Sequence, residues 1–441
     1  MLAEFDLKSA EGRAGFERVL GRLGETVSMT GDAATAVAKI VAEVREDGDD
    51  AVVRHMQHWT DPDYAADRIR TEPAELAKAE GSLDPCLREA IETAIAQVRA
   101  YQEHVRPVDA KPMTLGGAEL GLRFTPVDSA GLCVPGGTAV LFSTLIMLAV
   151  PALVAGVPAD QISVMHPPPT RREGEAARDI SPIVLATARL LGIERVYRIG
   201  GAQGVAALAY GTERVEPVAM IAGPGNVFVQ LAKALVAGRV GTEGGFYGPS
   251  EIVTVADESA SPQRVASDLI AQAEHDPGKC FLVTWSRRVL DSVLGQVAVQ
   301  MQARKRGEAI EAALTEESAA VLVADEDEAV DVVNRIACEH VNLAVRDPGR
   351  MLERLRHAGE VFLGDASPVA AGDYYAGPSH CLPTGRTARF ASGVSAYTFL
   401  KRMGTVAYPE GMGERAIDHV ARMAEAEGLD GHAASVRMRG V

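Results

Sequence analysis

A chain of 441 residues is too long for one small core and implies two or more domains. With 47% apolar and 24% charged residues it has the balance of a soluble globular protein, and a net charge of −16 excludes a general binder of phosphate backbones, which needs clustered cations. Its five cysteines are scattered, odd in number and without a CxxC pair, which predicts reduced thiols in a cytoplasm and excludes a disulfide framework.

The N-terminus, MLAEFDLKSAEGR, has no basic n-region and no apolar h-region, so secretion is not expected. Residues 1–24 read as a small helical extension. Residues 25–125 read as a mostly helical segment packing with a later β/α block, with amphipathic runs near 33–58 and 85–104.

A β/α alternation then begins. Strands are predicted at 131–134, 162–165, 195–199 and 218–222, separated by helices near 139–155, 181–192 and 203–210, with another at 226–237. Residues 139–158 carry no charge and approach the ~20 residues that cross a bilayer. Pro151 and Gly156 interrupt the run and no basic flank accompanies it, so a buried helix and no membrane contact are expected. Glycines mark several junctions: Gly136–Gly137, Gly200–Gly201, Gly223 and Gly225. Neither G-x-G-x-x-G opening a helix nor a G-x-x-x-x-G-K-[ST] loop is present. Gly223-Pro-Gly-Asn226 is the best remaining dinucleotide turn, since it leaves a strand, enters a helix and offers backbone N–H groups. It reads equally well as a tight strand–helix turn.

The rhythm resumes at 252–255, 281–284, 320–323, 341–345 and 361–363, with helices near 262–275, 286–304, 325–337 and 349–357. Boundaries follow at 126–249 for the first β/α domain and 250–392 for the second, leaving a helical tail at 393–441. The fold class is α/β with parallel sheets, and ligand sites are expected at the carboxyl ends of the strands.

Polar chemistry interrupts this pattern in four places. In the helix 262–275, Ser261 suits the cap and Pro262 the first position. Val265 and Leu269 form a stripe whose next turn falls on Gln272, with His275 following at i+3. Such a pair can hold a metal or a ligand, or satisfy itself inside a core. The helix is expected to stop at Asp276-Pro277-Gly278. Glu339–His340, at a helix–strand junction, can turn an acid and an imidazole into one cleft, or be a surface dipeptide. Residues 371–390, AGDYYAGPSHCLPTGRTARF, gather an acid, two tyrosines, a histidine and two arginines in a loop. The tail adds Glu427 and His432.

The runs GLCVPGGTAVLFSTLIMLAVPALVAGV, YRIGGAQGVAALAYGTE, GPGNVFVQLAKALVAGRVG, GPSEIVTVADESA, AQAEHDP, CEHVNLAV, GDYYAGPSHCLPTGRTARF and GLDGHA together resemble the histidinol dehydrogenase family, in that family's order, from about 125 to 435. The resemblance implies two incomplete Rossmann-like domains with small terminal extensions. It also implies a cytoplasmic homodimer with shared sites that oxidises L-histidinol to L-histidine in two NAD steps, the last step of histidine biosynthesis. One zinc per subunit would be held by Gln272, His275, Asp373 and His432. Glu339 and His340 would be the catalytic pair. Substrate would meet Ser250 and Glu427 besides His340 and the metal ligands, and NAD would meet Cys133, Gln203 and Asn226. Cys133 stands where the family usually has a tyrosine, and GTEGGFYGPSE is one residue longer than usual. Cys338 replaces a usual proline and raises a rival mechanism through a thiohemiacetal. A family member oxidising another small alcohol, such as a sulfonated diol, and a non-enzymatic scaffold are the alternative readings.

Overall fold

The computed structural model describes residues 2–24, 29–136, 140–172, 174–176, 178–275 and 278–439. Strand β1 (Ala3–Asp6) comes first, followed by the helix Ala10–Leu23, whose first turn is capped by the Ser9 hydroxyl accepting from Gly12 N–H. The N-terminal segment is therefore not purely helical. β1 has only four residues and two of them are acids, so no period announces it. It forms by pairing in parallel with residues 319–322, an edge whose backbone groups would otherwise be left open.

The helices Asp32–Trp59, Pro73–Gly81 and Pro85–Val105 follow. The expectation that residues 25–125 pack with the second β/α domain is wrong. They cover the first. Val37, Val44, Val52 and Met56 meet the helices Gly201–Tyr210 and Val227–Val236, while Leu76, Ile91 and Val98 join the core around Phe142–Ala155 and Pro182–Leu190. The helices that flank the first sheet keep apolar outer faces, which this segment covers. Residues 25–28, at its start, lie outside the described residues.

β2 (Ala110–Leu115) and β3 (Ala118–Pro126) form a hairpin. The first parallel sheet contains β4 (Ala130–Cys133), β5 (Ile162–Met165), β6 (Arg195–Tyr197), β7 (Met220–Ala222) and β8 (Gly241–Thr242), in the order β6-β5-β4-β7-β8. Its central helix, Phe142–Ala155, is buried along nearly its whole length and ends at left-handed Gly156. The apolar run beginning at 139 is this helix; among the described residues no helix is long and apolar enough to cross a membrane. Gly137, Thr138 and Ala139 lie outside the described residues.

The second sheet contains β9 (Glu251–Ala256), β10 (Lys279–Thr284), β11 (Ala319–Leu322), β12 (His340–Ala344) and β13 (Glu360–Leu363). With β1 at its edge, the order is β1-β11-β10-β9-β12-β13, all parallel. Apolar clusters lie on both its faces, as they do in the first domain. The tail is not wholly helical, because β14 (Leu400–Ala407) pairs antiparallel with β3 and completes a three-stranded sheet. Its last helices, Glu414–Ala426 and Asp430–Arg437, pack on each other through Ala421, Ala424, Ala433 and Val436.

Candidate active site

The loops that leave β4, β5, β6 and β7 border a cleft of about 590 Å³. Gly136, Pro167, Gly200, Gln203 and Asn226 line it, at the carboxyl ends where the sequence places a ligand site. The Gly223–Asn226 turn is held from both sides. Lys233 Nζ donates to Gly223 O at 2.9 Å, Gly223 N–H donates to Glu243 Oε1 at 2.9 Å, and Lys233 and Glu243 form a buried ion pair. Gly223 has φ +122, and a Cβ there would collide with the Cys133 carbonyl, so only glycine fits. Asn226 Oδ1 accepts from Phe228 and Val229 N–H and so caps the next helix.

Beyond this turn, a second cavity of about 320 Å³ opens between the domains. Asn226 and Gly136 border both spaces. In the second domain the chemistry lies at the amino ends of the strands, opposite to expectation. Ser250 precedes β9, His275 precedes β10, and Glu339 and His340 stand at the start of β12. Glu339 Oε2 accepts from Ser250 Oγ at 2.5 Å and from Glu251 N–H at 2.7 Å. Burial pushes the Glu339 carboxyl well above the usual carboxylate range, against the pull of those donors.

Three imidazoles border the cavity in one manner. His340 Nδ1 lies 3.2 Å from Glu251 O, His275 Nδ1 3.2 Å from Gln272 O, and His380 Nδ1 3.0 Å from Asp373 O. A carbonyl only accepts, so each Nδ1 carries a proton, and Nε2 is the nitrogen left for a ligand. His340 Nε2 is buried with no protein partner, and burial holds that ring down to about 4, neutral at physiological pH. His380 Nε2 meets the Thr144 hydroxyl at 3.3 Å, and its ring too is pushed down by burial. No lysine or arginine lines the cavity among the described residues.

The histidinol dehydrogenase family model matches residues 25–440. Curated histidinol dehydrogenases from Synechococcus sp. and Desulfotalea psychrophila are 41% and 40% identical, each covering 98% of this chain, and 97% and 98% of their own lengths are matched. The solved histidinol dehydrogenase of Elizabethkingia anophelis superposes with a TM-score of 0.89 at 29% identity, covering 99% of this chain and 98% of its own. The chain belongs to the histidinol dehydrogenase family.

For the zinc that membership in the histidinol dehydrogenase family implies, the donor set fits. Gln272 is buried on its stripe; its side-chain oxygen would be the metal donor, and its amide nitrogen has no protein partner. His275 has its Nδ1 on a carbonyl and its Nε2 free, the arrangement of a ligating histidine. Asp373 borders the same cavity from the end of the helix Val369–Tyr374. Among the described residues of one chain, no group of three or more His, Cys, Asp or Glu comes close enough to hold a metal. Glu427 and His432 lie exposed on the tail and do not border their own chain's cavity. Asp276 and Pro277, expected to stop the helix before them, lie outside the described residues; that helix runs Pro262–Ala273, with Ser261 at the cap position but no side-chain cap bond.

Two cysteines of interest are not in either space. Cys133 packs in the core with Met165 and Ile221, and borders neither cavity. Alternation along β4 turns it to the face that packs with the helices Asp32–Trp59 and Gly201–Tyr210. Cys338 is fully buried and its thiol is pushed well above its usual value by that burial, which removes the thiohemiacetal route. Three residues of the site were not singled out by sequence. His380 and Tyr374 were present only within the 371–390 loop, and Glu251 was hidden as the first residue of an apolar strand.

Proposed function

We propose that this chain oxidises L-histidinol to L-histidine through the aldehyde, with two NAD consumed. The observation that carries the reading is the pairing of His340, whose buried Nε2 has no protein partner, with the buried Glu339 carboxyl, in a cavity that His275 and Asp373 also line. Neutral His340 can take the hydroxyl proton as hydride leaves the alcohol carbon. Water then adds to the aldehyde, with Glu339 taking its proton. For this Glu339 is in its ionised form, held by Ser250 Oγ and Glu251 N–H and made a stronger base by its raised pKa. The hydrate loses the second hydride. The sum is one alcohol and one water giving one carboxylate, two hydrides and three protons. Zinc, when bound by Gln272, His275, Asp373 and His432, would orient the substrate and polarise its oxygen. NAD, when bound beside Gln203 and Asn226, would accept hydride. Ser250 would both hold Glu339 and meet substrate.

The proposal includes a homodimer in which the tail, with Glu427 and His432, completes the partner's site. Supporting this, the tail helices share only four small apolar side chains, and Met113, Leu115, Met403 and Val406 stand exposed on the three-stranded sheet that leads to them. A cytoplasmic location is also proposed, on the five unpaired cysteines. Stoichiometry is the test. Each L-histidinol should yield two NADH and one L-histidine. Release of free aldehyde with one NADH, or turnover of a sulfonated diol and not of histidinol, overturns the assignment.

A further inference from the structure

The Glu251 side chain has no role in the chemistry above, yet the residue's backbone bonds to both members of the catalytic pair. Its N–H donates to Glu339 Oε2 at 2.7 Å and its carbonyl accepts from His340 Nδ1 at 3.2 Å. Its own carboxylate is 1% exposed, and there Oε1 accepts from Gly385 N–H at 3.0 Å and lies 3.9 Å from Lys279 Nζ. Oε2 is buried without a partner. A glutamate in such a place costs stability unless its position is used.

The far end of this tether is itself strained. Gly385 has φ +59 and Arg386 φ +64, and a non-glycine residue in that region persists only where its surroundings hold it. The same turn braces the segment leading to Ser250. Thr384 N–H donates to Phe246 O at 2.8 Å, and Gly248 N–H donates to Thr384 Oγ1 at 2.9 Å. Residues 246–251 and 384–385 thus close a ring of hydrogen bonds behind Ser250, Glu339 and His340. Five residues before this turn, His380 enters the same cavity.

We infer that Glu251 is a positioning residue that fixes Glu339 and His340 by tying β9, whose first residue bonds to both, to the Gly385 turn. The inference rests on the assignment of Glu339 and His340 as proton carriers. In Glu251→Ala the strand loses its anchor, and kcat for both the alcohol and the aldehyde half-reaction should fall about 10–100-fold, as a small misplacement of reacting groups does. Zinc content and KM for NAD should stay near wild type. Glu251→Gln keeps an amide oxygen to accept Gly385 N–H, so its kcat should remain within about threefold. If Glu251→Ala fails to fold, Glu251→Asp, which draws back from Gly385 by one methylene, should show a smaller loss of kcat in the same pattern.

Wild-type kcat in a folded Glu251→Ala or Glu251→Asp enzyme, with only melting temperature lowered, overturns the inference. So does a Glu251→Gln enzyme as impaired as Glu251→Ala, since charge rather than the tether would then matter. Glu339→Gln is measured alongside. Wild-type turnover there sinks the assignment of proton carriers and this inference with it, whereas a dead Glu339→Gln beside a fully active Glu251→Ala sinks the inference alone.

Discussion

In the first domain the loops that border a cavity follow their strands, whereas in the second Ser250, His275, Glu339 and His340 stand before or at the start of theirs. Helix ends explain what each arrangement can hold. The first cleft faces helix beginnings, at Gly201 and Val227, where free N–H groups and the positive end of the dipole favour phosphate. On the second domain's side, the other cavity faces helix endings. Pro262–Ala273 stops just before His275, and Glu326–Ile336 stops just before Glu339 and His340, where carbonyls favour cations. One architecture used from opposite ends thereby supplies a dinucleotide-type cleft and a cavity suited to a metal and an amine.

The sharpest way to break this division is at the second domain. Glu339→Gln should impair oxidation of supplied aldehyde more than the alcohol step, and His340→Asn the alcohol step at least as strongly, each by ~10²–10⁴-fold. Neither should change KM for NAD. Equal, small effects on both half-reactions would remove the pair from proton transfer. His275→Ala should weaken zinc binding by more than the roughly 10–100-fold that loss of an outer-shell partner costs. A folded, fully zinc-loaded His275→Ala protein, measured by metal analysis, would take that residue out of the site.

The tail offers a third test. Glu339→Gln and His432→Asn, each inactive, are unfolded and refolded together. If the tail acts in trans, each mixed dimer has one intact site and one with both lesions. Random pairing then restores roughly a quarter of wild-type activity. Persistent inactivity with mixed dimers present would rule out the shared site.

The smallest effect belongs to the first domain. Asn226→Asp keeps the oxygen that caps the helix but replaces the amide donor with a carboxylate. KM for NAD should rise about threefold to tenfold with kcat and melting temperature unchanged. A change in kcat alone would blur the separation between the two clefts.

Much of this was legible because buried parallel strands are short apolar runs between glycine turns and helices, so β4 to β7 and β9 to β13 fall within two residues of their expected places. β2 and β14 were not. Their side chains are exposed almost throughout, so no alternation between core and solvent marks them. Gln272 was readable as polar on an apolar stripe. Glu251 was not, because a carboxylate before IVTVA looks like the solvent end of a strand until β12 and the Gly385 turn close over it. Nor does periodicity reveal which end of a sheet is used, since that depends on how two domains face each other.

The three backbone-tethered imidazoles have a consequence for selectivity. With Nδ1 committed in each, the walls of the cavity offer ring Nε2 atoms and carboxyl oxygens, and among the described residues no lysine or arginine lines it. Such a lining is electron-rich. Before a metal binds, it favours an ammonium over a sulfonate, so in the metal-free protein amines bearing an imidazole should bind more tightly than sulfonated alcohols of equal size.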